Sequence, residues 1–217
     1  PHCAWTEEEL ERLQVAIGRA RFRQEMQTAF HGELAYCLTT LDQSPGILFR
    51  GENKLKAIEL LEEFTDGLGT SWLDATTRHL RIDAELKTMS ANMISRMKYM
   101  SMMLMLPALQ QAVNAGMRAE ARQNCAIVTI AACRYRLQHG TLPKSLTDLK
   151  DLIPGNPLEQ SSRLIDPFDG QSLRFKSDSG HLLIYSICEN KADDGGEITT
   201  ENPLEGDLGY SVADDVE

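Results

Sequence analysis

The spacing of the apolar residues changes close to Gly140, and this change constrains the fold more than any other feature of the sequence. Before Gly140, apolar residues recur every three or four positions, as they do on one face of a helix. After it, apolar and polar residues alternate over residues 172–176 and 181–187, and we expect a third strand at 207–212. The sequence therefore predicts an α+β fold, in which an N-terminal all-helical region and a long helix lead into a small three-stranded antiparallel sheet.

Capping and turn residues mark the helix boundaries near the N-terminus. Thr6 and Glu9 have the spacing of a capping box, which begins a helix. Residues 42–46, Asp-Gln-Ser-Pro-Gly, are turn formers and predict the end of that helix, or of a pair of helices. A short helix should follow, and we expect Gly67 just beyond its C-terminal end.

Further helices are predicted over residues 71–89 and from about residue 92 up to Pro107. Proline is tolerated in the first turn of a helix but not in its interior, so Pro107 should kink this helix or begin a new one. Together these boundaries predict two domains, a helical domain of residues 1–106 and an α+β domain of residues 107–217.

Seven of the nine methionines lie between residues 89 and 105. Met89, Met93, Met97 and Met100 recur at helical spacing, which predicts a buried helix face packed into a core. Thioether sulfurs can also bind a soft metal such as copper, and the sequence leaves that alternative open.

The charge of the chain is concentrated at its C-terminal end. The formal net charge is −10, which argues against a nucleic-acid partner because phosphate binding needs a basic surface. Residues 189–217 hold ten acidic side chains and only one basic side chain, Lys191. This local excess indicates either a cation site or a solvated acidic tail.

No sequence motif of a catalytic site is present: the chain has no Gly-x-Ser-x-Gly, no His-Glu-x-x-His and no phosphate-binding loop. We therefore predict that the protein is not an enzyme. The alternative is a hydrolase in which two carboxylates, such as Asp193 and Asp207, act as acid and base at a site between the helical and sheet halves.

Several sequence segments occur in an order typical of one protein family. They are YRLQHGTLPKSLTDL, DPFDGQSLRF, LLIYSICEN, DDGG and DLGYSV. In this order and spacing, the segments resemble the C-terminal globular domain of the major (G-type) pseudopilin of type II secretion, over residues 118–212. The first hundred residues show no such resemblance. We therefore expect a pseudopilin-like domain fused to a helical domain, in a protein that does not polymerise as a pilus.

The resemblance implies a structural Ca²⁺ site in the loop between the last two strands. Its ligands would be the main-chain carbonyl of Ile187 and the side chains of Asn190, Asp193, Asp194 and Asp207. Calcium takes six to eight oxygen ligands of these kinds. This chain has a cysteine and an amide, at positions 188 and 190, where the family has a glycine and an acid. A solvated acidic tail without metal is the alternative.

The resemblance also implies a place in the cell. It predicts a non-catalytic structural or interaction protein associated with secretion or the envelope, exported to the periplasm or cell envelope of a bacterium, with protein partners there. The sequence has no apolar stretch of eighteen residues, so we expect no membrane span within it. An anchor could precede residue 1 in the full chain.

Overall fold

A computed structural model of the chain describes residues 5–43, 50–178, 180–198 and 206–213. Most of these residues are helical, and one small antiparallel sheet lies near the C-terminus, which confirms the predicted α+β class. The helices are α1 (Glu7–Ile17), α2 (Phe22–Gln43), α3 (Arg50–Thr70), α4 (Trp72–Met89), α5 (Met93–His139), a 3₁₀ helix (Leu146–Leu152) and α6 (Pro157–Arg163). Among the described helices, none combines the length and the apolar character that crossing a membrane requires.

The sheet is a three-stranded antiparallel meander with its second strand in the centre. Its strands are β1 (Arg174–Asp178), β2 (His181–Ser186) and β3 (Leu208–Ala213). Ile184 pairs with Phe175 on one side and with Tyr210 on the other. Each strand overlaps a predicted one, because alternation of apolar and polar residues is the pattern of a sheet with one buried face.

The chain forms two compact units, and they divide it differently from the predicted boundary at residue 106. The helical unit is Phe22–Met117, and the sheet unit combines Pro1–Arg21 with Arg118–Glu217. The division falls within α5, eleven residues beyond the predicted boundary. The first helix, which the sequence assigned to the helical domain, belongs to the sheet unit.

In the helical unit, Gly67 has a different role from the predicted one. The helix does not end there, because α3 continues to Thr70. A Cβ atom on Gly67 would lie 2.9 Å from the Cα atom of Ala75 in α4. Gly67 is therefore the point at which the backbones of α3 and α4 approach each other closely, and the phenyl ring of Phe64 is fully buried one turn away.

The predicted methionine core is wrong at two of its four positions. Met93 is 80% exposed and Met97 is 71% exposed. The buried face of α5 in this region instead carries Met102, Leu106, Val113 and Met117. The side chain of Met100 lies outside the described residues. Spacing alone could not separate these two faces, because methionines occupy both of them.

Two boundaries of α5 also bear on the predictions. The helix is continuous through Pro107, so no new helix begins at that residue. At the other end Gly140 has a φ of +70°, and its N–H donates to the carbonyl of Arg136 at 2.8 Å. A left-handed glycine at this position is a common way to end a helix.

The core of the sheet unit lies between α5 and the inner face of the sheet. Its fully buried members include Ile127, Val128, Ala131, Leu149, Ile153, Leu182 and Ile184. The short helix α6 begins at Pro157. Asn156 caps that helix by accepting hydrogen bonds from the N–H groups of Leu158 (3.0 Å) and Glu159 (3.1 Å). An Asn-Pro-x-Glu sequence is the signal that could have predicted this helix.

Buried polar side chains hold α1 in the sheet unit. The amide nitrogen of Gln14 donates to the carbonyl of Ile127 at 2.8 Å, and its oxygen accepts from Arg134 at 2.9 Å. Gln123 donates to the carbonyls of Ile17 (2.6 Å) and Ala20 (3.0 Å). Because these bonds join α1 and its C-terminal turn to α5, residues near the N-terminus fold with the C-terminal half of the chain.

Candidate metal-binding loop

The loop that follows β2 starts from a buried carboxylate on a different segment of the chain. Asp166 is fully buried, and its side chain accepts hydrogen bonds from the N–H of Ile187 (3.0 Å) and the hydroxyl of Ser186 (2.9 Å). It also accepts from the N–H of Phe168 at 3.0 Å. Burial raises the pKa of Asp166, and these hydrogen bonds oppose that shift. Asp166 therefore ties the turn before β1 to the end of β2.

Residues 187–198, which we call the acidic loop, begin with an unusual backbone. Cys188 has a φ of +56° and Lys191 a φ of +54°. Residues other than glycine, asparagine and aspartate rarely adopt this left-handed backbone conformation. Cys188 is buried, and burial raises the pKa of its thiol. The cysteine thus occupies the backbone conformation that a glycine would adopt most easily.

Asn190 and Asp194 are joined to each other. The side-chain amide of Asn190 donates to Asp194 Oδ2 at 2.8 Å. Its carbonyl oxygen accepts from the N–H of Ala192 at 3.1 Å, which closes an Asx turn. Both side chains are exposed.

Asp193 faces the sheet. Its Oδ1 atom accepts hydrogen bonds from the hydroxyl of Tyr185 and from the N–H of Gly195, both at 3.0 Å. Its Oδ2 atom lies 4.0 Å from Nε of Arg174. Burial, followed by the bond to Asp193, raises the pKa of Tyr185 to about 12. Asp193 is half exposed, and only one of its oxygens is held by hydrogen bonds in the described residues.

Asp207 closes the acidic loop from the beginning of β3. Its N–H donates to the carbonyl of Glu197 at 3.1 Å, and its Oδ2 atom accepts from the N–H of Gly196 at 2.8 Å. The residue is 1% exposed, and its Oδ1 atom has no hydrogen-bond partner among the described residues. Burial raises the pKa of Asp207, the main-chain N–H groups of Gly196 and Asp194 oppose that shift, and the negative charges of Asp193 and Asp194 add to it.

The structure thus brings most of the predicted ligands to one side of the sheet. A hydrogen bond joins Asn190 to Asp194, and the negative charges of Asp193 and Asp194 act on Asp207. The remaining predicted ligand is the main-chain carbonyl of Ile187. This residue is held in place through its N–H, which donates to Asp166. Within the described part of the chain, no three histidine, cysteine, aspartate or glutamate side chains are placed together as a metal site.

Sequence reasoning missed three residues that shape this region. Arg174 forms ion pairs with Asp169 (2.6 Å) and Asp166 (3.5 Å) and also lies near Asp193. Arg118 forms an ion pair with Glu189, which removes that carboxylate from the exposed acids of the loop. Tyr185 orients Asp193, as described above. Arg118 and Glu189 are 71 positions apart, and the other pairs join residues of different turns and strands, so no regular spacing indicates them.

The comparisons with known proteins find no relatives. No protein-family model matches the chain, and neither a curated protein nor a solved structure shows significant similarity to it.

Proposed function

We propose that the acidic loop binds a structural Ca²⁺ ion, and that the protein has a non-catalytic role. The observation that carries this proposal is the buried Oδ1 atom of Asp207, which has no partner among the described residues while the carboxylates of Asp193 and Asp194 lie close enough to raise its pKa. A buried carboxylate oxygen without a partner destabilises a fold by about 1–3 kcal/mol or more. A bound cation would remove this cost.

The donor set fits calcium. Asp207, Asp193 and Asp194 offer carboxylate oxygens, Asn190 offers an amide oxygen, and Ile187 offers a main-chain carbonyl, all of them hard oxygen ligands. When bound, calcium supplies positive charge that allows several carboxylates to share one site. Asp193 and Asp194 are exposed, so they can turn toward Asp207 without disturbing the core.

The ligands are also placed to link two strands. The acidic loop follows β2, whereas Asp207 immediately precedes β3, and residues Glu197 and Asp207 already share a main-chain hydrogen bond of 3.1 Å. A cation held by Asp207 and the acids of the loop would therefore fix the connection between these strands. A solvated loop without metal remains the alternative, and the experiment below separates the two.

Calcium is expected to raise the melting temperature of the protein. With a Kd of about 0.1 mM, about 1 mM calcium adds about 1.4 kcal/mol to the free energy of unfolding. For a unit of this size that corresponds to a rise in Tm of about 5 °C. The measurement compares thermal unfolding after chelation with EDTA and after addition of excess calcium. An unchanged Tm would contradict the proposal.

The matched variant is Asp207→Asn, which keeps the size of the side chain but removes its charge. We expect its Tm not to respond to calcium, while its Tm in EDTA equals or exceeds that of the wild type because a buried unpaired charge is gone. Asp178→Asn, at the far end of β1, is the control and should respond to calcium like the wild type. A calcium response in Asp207→Asn equal to that of the wild type would place the cation elsewhere.

The stabilisation by calcium should weaken in acid. The pKa of Asp207 in the folded protein lies above its ordinary value of 3.8. Folding therefore favours the protonated form of Asp207. Without calcium, the free energy of unfolding is expected to fall as the pH rises through the pKa of Asp207 in the folded state. Because calcium competes with that proton, the rise in Tm with calcium should be full at about pH 7 and should shrink toward about pH 4. Thermal unfolding across this range, with and without EDTA, checks the sign.

The wider role rests on the resemblance of residues 118–212 to the G-type pseudopilins. It supports an exported protein of the secretion apparatus or cell envelope, whose calcium-stabilised sheet unit contacts other proteins there. The net charge of −10 favours protein partners over nucleic acid, because phosphate binding needs a basic surface. The carboxylate hydrolase stays an alternative prediction.

A further inference from the structure

A pocket of about 310 Å³ lies in the sheet unit, away from the acidic loop. It is formed by the C-terminal end of α1 and the residues after it, by α5, and by α6 with the loop before it. Val15, Ile127 and Pro154 form its apolar wall, and two glycines and four charged residues form the rest of the lining. Its volume is at the lower end of the range for small-molecule sites.

The charge in this pocket is opposite to that of the protein. Its charged side chains are Arg19, Arg21, Arg163 and Glu159. Three guanidinium groups against one carboxylate give a local excess of two positive charges, in a chain whose net charge is −10. We call this feature the arginine pocket.

Arg163 is held rigidly but by neutral groups. Its guanidinium donates to the carbonyl of Gly18 at 2.9 Å and to Asn124 Oδ1 at 3.1 Å, and also to the side-chain oxygen of Gln123. No carboxylate of the described residues forms an ion pair with it. Burial lowers the pKa of Arg163, the negative charge of Glu120 opposes that shift, the positive charge of Arg21 adds to it, and the charge of Glu159 opposes it. The hydrogen bonds of this partly buried cation all go to neutral groups, and such a cation gains from a hydrogen-bonded anion.

Glu159 cannot supply that anion, because it is already engaged. Its carboxylate accepts from Arg21 at 2.7 Å and from the N–H of Asn156 at 3.2 Å. The bond to Arg21 is the main reason that the pKa of Glu159 is lowered, so the group stays charged in place. Arg19 and Arg163 therefore remain to match the charge of a ligand.

The backbone keeps the pocket open beside Glu159. Gly155 has a φ of +118°, and a Cβ atom at this position would lie 2.6 Å from Oε2 of Glu159. A side chain there would displace the carboxylate from its bonds. Glycine at residue 155 thus preserves both the space and the ion pair on this side of the pocket.

We propose that the arginine pocket binds a short aliphatic dicarboxylate. Two carboxylates match the excess of two positive charges, and arginine binds carboxylates through pairs of parallel hydrogen bonds. The apolar wall favours a ligand with methylene groups between its charges over an inorganic dianion.

Isothermal titration of the protein with succinate, at low ionic strength, tests the proposal. We expect saturable binding at one site with a Kd of about 1 mM or below. Succinamide, which has the same shape without charge, should not bind, and inorganic phosphate should bind more weakly than succinate. Arg163→Gln should weaken succinate at least about tenfold.

Two further variants keep the result interpretable if Arg163→Gln does not fold. Arg19→Gln alters an exposed side chain of the pocket and should weaken succinate about three- to tenfold. Arg12→Gln, whose exposed side chain pairs with Glu8 on α1 outside the pocket, should leave the affinity unchanged. No saturable binding of succinate, an equal affinity in Arg19→Gln, or tighter binding of phosphate would each overturn the proposal.

Discussion

Replacing Asp166 by alanine is expected to lower the free energy of unfolding by about 3–5 kcal/mol. The side chain is fully buried, and it accepts hydrogen bonds from Phe168, Ser186 and Ile187. Alanine would leave these donors buried without an acceptor and would remove one anionic neighbour of Arg174. Equilibrium unfolding in urea measures the change.

Two further variants, Asp166→Asn and Asp169→Ala, are compared with Asp166→Ala. Asp166→Asn keeps the volume and one acceptor oxygen, and we expect a loss of about 1–3 kcal/mol. Asp169→Ala removes a partly exposed carboxylate that also pairs with Arg174, and it should cost no more than about 1 kcal/mol. If Asp166→Ala were as stable as Asp169→Ala, the turn before β1 would not depend on this carboxylate.

The second large effect is expected at Gln14, which is fully buried in the sheet unit. Gln14→Ala should lower the free energy of unfolding by about 3 kcal/mol, since it removes two buried hydrogen bonds and leaves a cavity. One of these bonds is with Arg134, whose Nε atom already lacks a partner among the described residues. Urea unfolding of the whole chain, followed by a probe in the sheet unit, is the measurement.

Arg12→Ala is the control for Gln14→Ala because it lies on the same helix. Arg12 is exposed and its ion pair with Glu8 is exposed as well, so the change should stay within about 0.5 kcal/mol. Equal stability of Gln14→Ala and the wild type would show that α1 contributes little to the sheet unit. The expected loss would show that α1 folds as part of that unit.

Local sequence signals predicted the elements whose cause is local. The capping box of Thr6 and Glu9 is present, with Glu9 accepting from the N–H of Thr6 at 2.8 Å. The three strands follow from alternation, and the end of α5 follows from Gly140. Each of these features depends on residues within a few positions of one another.

Features that depend on distant residues were not predicted. Gly67 looked like a helix end, but it is needed where Ala75 of the next helix packs against it. Gln14 is hydrogen-bonded to Ile127 and Arg134, both more than a hundred positions away. Neither role leaves a local pattern, because its cause is the packing of one element on another.

The candidate metal-binding loop was likewise predicted only in part. Sequence and resemblance selected the acids, and the structure shows that Asp207 closes the acidic loop and is buried. The sequence could not show that one oxygen of Asp207 lacks a partner among the described residues, or that Tyr185 and Arg174 lie beside different oxygens of Asp193. Those contacts affect how strongly a cation would be held, and they arise from the folding of the loop against the sheet.

Equilibrium dialysis with radioactive calcium tests the central proposal most directly, because it counts bound ions whatever their effect on stability. At about pH 7 we expect the wild-type protein to bind about one calcium ion with a Kd between about 0.01 and 1 mM, and Asp207→Asn to bind at least about tenfold more weakly. No saturable binding by the wild type at several times the upper limit, or equal binding by Asp207→Asn, would contradict a calcium site closed by Asp207.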